Sequence, residues 1–522
     1  MADAKGFYLT TAIFYPSAAP ALHSMFEAIG ADAIARYQRL AGREARFLTG
    51  LDEHSANVER DALEQGIDPH RLIDPWAATW QATFERYGIS ADRFIRTTDA
   101  DHARAATEMV RRAQAAGDVY EGVYSGWFCN GCNEFKTDQQ LVNGRCPDHP
   151  SLDPLWLEEA NHFFRLSAYQ ERLEQLYAEN PSFCEPPHFR NEVLGWLREG
   201  LRDFSISRSG TKWGIPFPGN EEHRIYVWFD ALTNYLTGAG FPDDQESMDR
   251  WWPADLHVIG KNITRFHCLY WPAMLMSAGL PLPKQIFAHG FMLDRGERMS
   301  KTQGNTHDPD AAADLFGVDG IRYVVLREVP FDRDSDVTHD GFVRRYNADL
   351  ANDLGNLVNR TVSMSRRYLD GKLPVVTDAT QPADDEVRAA AARTVETYHA
   401  AMGRHQLNEA LATIMDLAGA ANGYAEGQAP WSLNKAGDTA RVGQVLAVMG
   451  EVCRILGHLL APVAPTGART MLEQLGVPPP YDERGAGGPG LEQLLAWGAS
   501  GVGLVTGAPS PIFPRIEAEA RV

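Results

Sequence analysis

The chain has few cysteines, too few for a framework of disulfide bonds. Six cysteines are spread over 522 residues, whereas small disulfide-stapled domains carry them at much higher density. The chain also lacks any run of roughly 18–20 uninterrupted apolar residues, the length that a membrane-spanning helix needs. Its N-terminus shows no basic region followed by an apolar core. These absences indicate a cytoplasmic protein without a membrane partner, and the length predicts several domains.

Basic residues are in the minority. The chain has 49 Lys and Arg against 69 Asp and Glu, which gives a formal charge of −20. A charge of this sign argues against a protein that coats nucleic acid over its whole surface. A local basic patch that binds RNA stays possible, because net charge says nothing about how the charges are distributed.

The spacing of apolar residues predicts an α/β domain followed by helices. The chain opens with strand, helix and strand patterns at 7–14, 25–40 and 45–50, as a parallel α/β domain does. From about residue 223 the alternation returns, with predicted strands at 225–230, 256–260 and 286–292. Beyond about residue 340 the predicted strands stop, and apolar residues recur at helical spacing. The Gly- and Pro-rich stretch 476–490 is predicted to be a loop.

Four residues are spaced as zinc ligands. Cys129-x-x-Cys132 is followed by Cys146-x-x-His149. Two short pairs of thiolate and imidazole ligands suit tetrahedral zinc, and a site with four protein ligands leaves no position for water. The pattern therefore predicts a structural zinc site, which would supply folding energy to a segment too small for its own core. The alternative is four residues spaced in this way by coincidence.

A basic pentapeptide, Arg298-Met299-Ser300-Lys301-Thr302, follows a predicted strand. A lysine on such a loop can neutralise charge that builds on a triphosphate in a transition state. Taken alone, the pentapeptide is equally typical of a solvated loop. Its neighbours are more specific.

The run GFMLDRGERMSKTQGNTHDP at 290–309 resembles the second signature loop of class I methionyl-tRNA synthetases. The resemblance continues, in order, through TTAIFYPS, FLTGLDEH, the cysteine pairs, YVWFDALTNY, HVIGKNITRFHCLYWPAM, ADLANDLGNLVNR, QAPW and PIFPRIE. It implies an α/β Rossmann-like class I catalytic domain with an inserted zinc-knuckle connective domain, followed by an all-α anticodon-binding-type bundle. The implied bounds are 1–115 and 223–340 for the two halves of the catalytic domain, with the signature loop at 298–302, 116–222 for the insertion, and 341–522 for the bundle and C-terminal tail.

The resemblance also implies an amino-acid pocket for methionine or a similar amino acid. Its members are Ala12, Ile13, Tyr15, Asp52, Trp228, Ala231, Leu232, Tyr235, Ile263, His267 and Trp271. One carboxylate for the ammonium, apolar walls and one imidazole beside a thioether fit the general pattern of small-ligand pockets. The alternative is that Trp228 and Trp271 are only core aromatics.

The nucleotide site is implied in the same way, with Mg-ATP as the substrate. ATP-binding residues would be Tyr15, Pro16, Gly260, Lys261, Asn262, Met299 and Ser300, and catalytic residues Lys301, Arg298, Ser24 and His23. The family's first signature, His-x-Gly-His, is here Ala21-Leu22-His23-Ser24. Losing one preorganised donor typically costs about 10²–10³ in rate, and this chain loses two imidazoles. Asn262 also replaces the family's aspartate, which weakens a charge-assisted hydrogen bond.

In the helical half, Asn356, Arg360 and Trp431 match the family's anticodon-reading residues. Asn356 and Arg360 are four residues apart and share one helix face. A tryptophan that stacks on an unpaired base, beside polar groups on base edges, is a common way to read single-stranded RNA. The alternative is helix packing retained by descent. No C-terminal oligonucleotide-binding domain is recognised, so a monomer is expected.

Three functions remain open at this point. The first is a biosynthetic paralogue that activates an amino acid as its adenylate and transfers it to a small molecule, as in hydrazine-forming pathways, with a cupin as a separate partner chain. The altered first signature favours it. The second is a methionine–tRNA ligase with an unusual first signature. The third is a non-catalytic regulator that binds an amino acid or tRNA.

Overall fold

The structure is a computed structural model that describes residues 5–16, 18–129, 134–136, 138–147, 150, 152–299, 306–377, 380–500 and 503–517. Its strands are β1 (Phe7–Phe14), β2 (Ala45–Leu51), β3 (Arg93–Arg96), β4 (Val119–Cys129), β5 (Glu134–Lys136), β6 (Leu155–Phe164), β7 (Cys184–Glu185), β8 (Phe204–Ser205), β9 (Ser207–Arg208), β10 (Pro216–Phe217), β11 (Asn220–Ile225), β12 (Leu256–Gly260), β13 (Ile286–His289), β14 (Met292–Asp294), β15 (Glu297–Arg298), β16 (Ser335–Asp336), β17 (Lys372–Leu373) and β18 (Leu504–Val505).

Its α-helices are α1 (Leu22–Leu40), α2 (Ala56–Gln65), α3 (Pro69–Arg86), α4 (Ala100–Ala115), α5 (Gln170–Glu179), α6 (Pro187–Glu199), α7 (Val227–Leu232), α8 (Asn234–Ala239), α9 (Gln245–Trp251), α10 (Trp271–Ser277), α11 (Pro309–Phe316), α12 (Val318–Glu328), α13 (His339–Arg345), α14 (Gly355–Leu369), α15 (Pro382–Gly403), α16 (Leu407–Gln428), α17 (Pro430–Ala436), α18 (Thr439–Leu460), α19 (Pro465–Gln474) and α20 (Leu491–Leu495). Short 3₁₀ turns occupy Asp138–Gln140, Leu166–Tyr169 and Lys261–Ile263, and π-helical turns occupy Phe266–Tyr270 and Tyr346–Leu354.

The chain forms two compact units. Unit 1 consists of Met1–Pro20, Arg46–Phe84 and Ala91–Ala288, and unit 2 of Ala21–Ala45, Glu85–Ser90 and His289–Val522.

Unit 1 is built on a sheet with the strand order β3-β2-β1-β12-β13-β7. The pairs β1–β12, β2–β3 and β13–β7 are parallel. From β1 the chain first runs to β2 and β3 on one side of the sheet, and later returns to β12 and β13 on the other. The direction therefore changes between β1 and β12, and the carboxyl ends of these two strands are where an open parallel sheet binds its ligands.

Close packing around β1 depends on one glycine. A Cβ atom at Gly238 in α8 would lie 2.4 Å from Tyr8 Oη and 2.6 Å from a methyl group of Leu48. Only glycine lets α8 approach the sheet this closely. Tyr8 Oη in turn donates a hydrogen bond of 2.9 Å to the carbonyl oxygen of Tyr235 in the same helix.

The insertion contains a four-stranded antiparallel sheet with the order β5-β4-β6-β8. Strand β4 is 11 residues long and pairs antiparallel with β6 from Val119↔Phe164 to Phe128↔Leu155, with β5 and β8 at the sides. Its sequence, VYEGVYSGWFC, mixes glycine, serine and glutamate with aromatics. Because several of its residues are solvent-exposed, no clean apolar alternation marks the strand.

The predicted strand at 225–230 is wrong. Strand β11 ends at Ile225, and Val227–Leu232 forms the buried helix α7 after an extended Tyr226. A short apolar run fits a buried strand and a buried helix equally well. The predictions at 7–14, 45–50 and 256–260 agree with β1, β2 and β12, and the helix predicted at 25–40 begins three residues earlier, at Leu22.

Unit 2 contains α1 and the helices from α11 onward, together with the small β15-β14-β16 sheet. The helices α14, α15, α16 and α18 pack on one another. In the described part of the chain, α18 is long and apolar enough to cross a membrane, but 94% of its apolar window is buried inside the fold. The paired two-residue strands β17 and β18 are the exception to the prediction that strands stop near residue 340, and 476–490 forms turns and irregular backbone, as predicted.

Candidate active site

Asp52 is a buried carboxylate at the carboxyl edge of the unit 1 sheet. It directly follows β2, and its backbone N–H donates a 2.9 Å hydrogen bond to the carbonyl oxygen of Phe14 at the end of β1. Its side chain is only 2% exposed, and its Oδ1 has no hydrogen-bond partner among the residues that the structure describes. Burial, followed by repulsion from Asp230 and Glu53, raises its pKa well above the ordinary range. A bound cation would stabilise the charged form of this buried carboxyl group.

Aromatic side chains line the same region of unit 1. The indole of Trp228 in α7 stacks on Phe266 with 3.6 Å between ring centroids, and Trp228 Nε1 has no hydrogen-bond partner within the described chain. Tyr235 in α8 meets Trp271 edge to face at 5.8 Å. Trp271 is fully buried. Of the other predicted pocket members, Ala12, Ala231 and Leu232 are buried, and Ile13 and Ile263 are half-buried.

His267 is a neutral imidazole. Its Nδ1 lies 3.0 Å from the carbonyl oxygen of Ile263, so it must donate, and Nε2 then accepts from Tyr235 Oη at 2.6 Å. Burial lowers the pKa of His267 to about 4, which the Ile263 hydrogen bond only partly opposes. His267 therefore takes part in two hydrogen bonds and is uncharged at neutral pH.

Asp230, which the sequence analysis did not single out, links several of these elements. Its Oδ2 lies 2.7 Å from His54 Nδ1, and its Oδ1 lies 2.6 Å from His102 Nε2. Burial alone would raise the pKa of Asp230, but the two histidines outweigh it and lower the pKa to about 2. Asp230 lies inside the YVWFDALTNY run, so that motif could have indicated it. No sequence motif pointed to His102.

The predicted nucleotide-binding residues of unit 1 lie at two strand ends. Pro16 is buried and Tyr15 is 42% exposed just beyond β1. Gly260 ends β12, and Lys261 and Asn262 lie in the 3₁₀ turn that follows, with Asn262 exposed. These residues therefore lie at the carboxyl ends of the two strands between which the direction of the chain changes.

In unit 2, α1 begins with few free groups for a ligand. Ala21 is the N-cap and has no side-chain oxygen to accept from the first turn. The first helical amide, that of Leu22, donates to the carbonyl oxygen of His307 at 3.0 Å, and the Ser24 amide donates to Ala21 O at 2.9 Å. The side chains of His23 and Ser24 are half-buried. The anion-binding capacity that a helix N-terminus has through its free amides is therefore reduced here.

The signature loop follows a tight hairpin in unit 2. Strands β14 and β15 pair through Leu293↔Arg298 and Asp294↔Glu297, and the Gly296 amide donates to Asp336 Oδ1 at 2.7 Å. Met299 is buried. Ser300 and Lys301, together with the side chain of Arg298, lie outside the described residues.

Half of the predicted zinc quartet can be located. Cys129, at the end of β4, and Cys146 are both buried. Cys132 and His149 lie outside the described residues. Among the residues that are described, no three His, Cys, Asp or Glu side chains are grouped as metal ligands. Two buried thiols are nevertheless the right donor chemistry for zinc.

The helical half brings two of the three predicted anticodon residues together. The Arg360 guanidinium in α14 lies 5.7 Å from the ring centroid of Trp431, and Arg360 Nη2 bonds to Glu426 Oε1 at 2.6 Å. Trp431 is 39% exposed. Asn356, one helical turn before Arg360, is also exposed.

Comparison with known proteins decides the family. The chain matches tRNA synthetases class I (M) over residues 7–153 and 151–362, and the anticodon binding domain of methionyl tRNA ligase over residues 375–521. The chain belongs to the class I methionyl-tRNA synthetase family. The methionine–tRNA ligase of Mycobacterium tuberculosis (strain CDC 1551 / Oshkosh) is 45% identical over 98% of this chain and 98% of its own length. That of Thermosynechococcus vestitus is 42% identical over 99% and 98%.

A solved structure of the same family aligns with the whole fold. The M. tuberculosis methionyl-tRNA synthetase in complex with methionyl-adenylate has a TM-score of 0.92 and 43% identity, and the alignment covers 98% of this chain and 100% of that one. As a family member, this chain is an ATP-dependent ligase of the class I aminoacyl-tRNA synthetase type with methionyl-tRNA synthetase-like activity. The predicted class I catalytic domain with its parallel sheet and the helical anticodon-binding domain are confirmed.

Proposed function

We propose that the chain is a methionine–tRNA ligase, which activates methionine with Mg-ATP as methionyl-adenylate and transfers the methionyl group to tRNA. The observation that carries the proposal is Asp52, a buried carboxylate with a raised pKa and no partner for Oδ1 in the described chain. An α-ammonium group would supply the missing cation. Relatives named methionine–tRNA ligases, 42–45% identical over nearly the whole chain, support this choice over the other two functions.

In this proposal the amino acid is held by polar and apolar groups of unit 1. Asp52 binds the ammonium, and the neutral Tyr235–His267 pair lies beside the thioether. Methionine sulfur is a weak acceptor, so an uncharged neighbour costs it little desolvation. The apolar walls are Ala12, Ile13, Tyr15, Trp228, Ala231, Leu232, Ile263 and Trp271.

ATP is proposed to be held by Tyr15, Pro16, Gly260, Lys261, Asn262, Met299 and Ser300. Lys301, assisted by Arg298, would stabilise the charge that develops as pyrophosphate leaves. Ser24 can donate one hydrogen bond to a phosphate, and His23 is the one imidazole left in the first signature. Magnesium would neutralise part of the triphosphate charge when it is bound.

Two further parts of the proposal concern the rest of the chain. Cys129, Cys132, Cys146 and His149 would bind a structural zinc ion within the insertion at 116–222, and the buried thiols of Cys129 and Cys146 support this assignment. Asn356, Arg360 and Trp431 would contact the anticodon, which the exposure of Trp431 next to Arg360 supports. The domain bounds 1–115, 223–340 and 341–522 and the monomeric state belong to the same proposal.

The biosynthetic paralogue is the second candidate. The start of α1 favours it, because Ala21 has no capping oxygen and the Leu22 amide is already bonded to His307. A weakened phosphate site would suit a slow, specialised reaction better than protein synthesis. The partner would then be a small-molecule acceptor and, in hydrazine-forming pathways, a separate cupin chain.

One assay separates the candidates. Exchange of labelled pyrophosphate into ATP is measured with a panel of amino acids, followed by charging of methionine tRNA. Methionine-dependent exchange with charging is the expected result. Exchange with another amino acid, or exchange without charging, would favour the paralogue. Folded protein that shows no exchange with any amino acid would favour the third function, the non-catalytic regulator.

A further inference from the structure

The Asp230 carboxylate is shared by two histidines from different parts of unit 1. His54 Nδ1 lies 2.7 Å from Oδ2, and His102 Nε2 lies 2.6 Å from Oδ1. The side chains of Asp230 and His102 are fully buried, and that of His54 is 7% exposed. Each carboxylate oxygen thus has its own N–H donor, and hydrogen bonds to a charged acceptor are among the stronger ones in proteins.

This arrangement connects the loop of Asp52 to the helices that form the pocket walls. His54 is two residues after Asp52, and Asp230 is two residues after Trp228 in α7. His102 lies in α4, and its Nδ1 is 3.1 Å from Thr237 Oγ1 in α8. One chain of hydrogen bonds therefore joins the Asp52 loop, α7, α4 and α8.

The elements so connected have little stability of their own. Helices α7 and α8 have only 6 residues each, and helices this short depend on tertiary contacts. Asp52 Oδ1 has no partner of its own in the described chain. The neighbouring acid Glu53 is fully engaged, because Arg96 Nε binds Oε1 at 2.7 Å and Thr98 Oγ1 binds Oε2 at 2.5 Å. The bond between His54 and Asp230 therefore links the Asp52 loop directly to the helix that carries Trp228.

We propose that His102 is a positioning residue for recognition of the substrate ammonium: through Asp230 and His54 it fixes the Asp52 carboxylate relative to the pocket wall. The inference rests on the proposed function, in which Asp52 binds that ammonium. His102 itself, fully buried in α4, does not touch the substrate. Its loss leaves Asp230 bonded to His54 alone, so α7 and the Asp52 loop can move together relative to α4 and α8. This movement weakens binding of the amino group more than binding of ATP.

Two substitutions test the two hydrogen bonds of His102 separately. A glutamine amide nitrogen reaches about as far as imidazole Nε2, so His102→Gln keeps a donor for Asp230. An asparagine amide reaches only about as far as Nδ1, so His102→Asn keeps a partner for Thr237 and loses Asp230. His188→Asn, an exposed histidine of α6 in the same unit, is the control.

The experiment measures methionine-dependent pyrophosphate exchange by the full chain. We expect His102→Asn to raise KM for methionine by about tenfold or more, the usual effect of losing a hydrogen bond to a charged group, with KM for ATP within about twofold. His102→Gln should show a clearly smaller increase, and His188→Asn none. Equal effects of the Gln and Asn substitutions, or no effect of either, would overturn the inference.

A second measurement separates positioning from general loosening of the pocket. The analogue of methionine that lacks the amino group is tested as a competitive inhibitor. Its inhibition constant should be the same for His102→Asn and the unaltered protein, because it has no ammonium for Asp52. A parallel loss for methionine and analogue would mean that the whole pocket has collapsed and would overturn the inference.

Two controls complete the design. If thermal unfolding shows that His102→Asn does not fold, Asp230→Asn, which has nearly the same shape, carries the test with the same expected result. An unaltered protein without methionine-dependent exchange or methionine binding would instead overturn the proposed function, and the inference with it. The inference alone would be overturned if the unaltered protein shows normal exchange but the His102 variants do not show the expected differences in KM for methionine.

Discussion

Arg322 Nη2 donates a 2.6 Å hydrogen bond to Oδ2 of Asp32, and neither side chain has any solvent exposure. The same carboxylate accepts from Arg36 Nε at 2.7 Å and from Ser90 Oγ at 2.5 Å. Arg322 Nε also bonds to the carbonyl oxygen of Val463 at 2.7 Å. These bonds join α1, α12 and the turn after α18 inside unit 2, so the helix that carries the first signature is anchored by buried charges.

Removing Arg322 should therefore be costly. We expect Arg322→Leu to lower the free energy of unfolding by about 3–5 kcal/mol, because it removes one of the two arginines that neutralise the buried Asp32 carboxylate. Arg86→Leu is the matched control. It removes exposed pairs with Asp310 and Asp314 in the same unit and should cost about 0–1 kcal/mol. Urea unfolding curves measure both, and a similar loss in the two variants would contradict the expectation.

Lys301 should be essential for adenylate formation. We expect Lys301→Ala to lower the rate of pyrophosphate exchange by about 10² or more, because it removes a charged donor to the transition state. KM for methionine should change little. Lys372→Ala, at an exposed lysine in β17, is the control. Unchanged exchange in Lys301→Ala would mean that the signature loop takes no part in catalysis.

Restoring the first signature tests whether the rest of the ATP site is intact. The combined substitution Ala21→His, His23→Gly and Ser24→His returns two imidazoles to the start of α1. We expect methionine-dependent exchange to rise by about tenfold or more, since one donor alone is typically worth about 10²–10³ and the Leu22 amide stays bonded to His307. Absence of a gain would point to Asn262 or the altered helix start as a second defect.

His267 should make stability depend on pH. Burial lowers its pKa from the ordinary value to about 4, so the unfolded chain binds a proton at a higher pH than the folded chain does. Stability contributed by the neutral imidazole is thus complete above about pH 6.5 and decreases as the pH falls toward 4. Urea midpoints between pH 4 and 7 should fall less steeply for His267→Gln. The exposed His188→Gln should follow the unaltered protein.

Zinc should be bound in a ratio of one per chain. Elemental analysis of the purified protein tests this, and Cys132→Ser should lose the metal because thiolate is the ligand that zinc needs at that position. Cys184→Ser is the control, since Cys184 is a buried thiol in β7 outside the predicted quartet. Full zinc content in Cys132→Ser would show that the quartet is not the metal site.

The sequence allowed the fold to be predicted where one pattern has one structural meaning. The apolar run at 7–14 could only be a central strand once strand and helix alternated around it, and β1 has those bounds. The run at 225–230 was ambiguous, and the buried helix α7 formed instead of a strand. For the site, Asp52 and His267 were predicted from the motifs that carry the family resemblance. The link through His102 was not, because α4 meets α7 only in three dimensions.

The bond from the Leu22 amide to His307 O ties the starting turn of α1 to backbone that lies just past the signature loop. The two segments are far apart in sequence, yet a backbone–backbone hydrogen bond joins them, and this bond does not depend on side-chain identity. Replacing the side chains of residues 21–24 therefore changes the groups offered to a ligand but keeps the hydrogen bond between the two segments. A displacement of the backbone at His307 would therefore also displace the first turn of α1. A spectroscopic probe on either segment would report the motion of both.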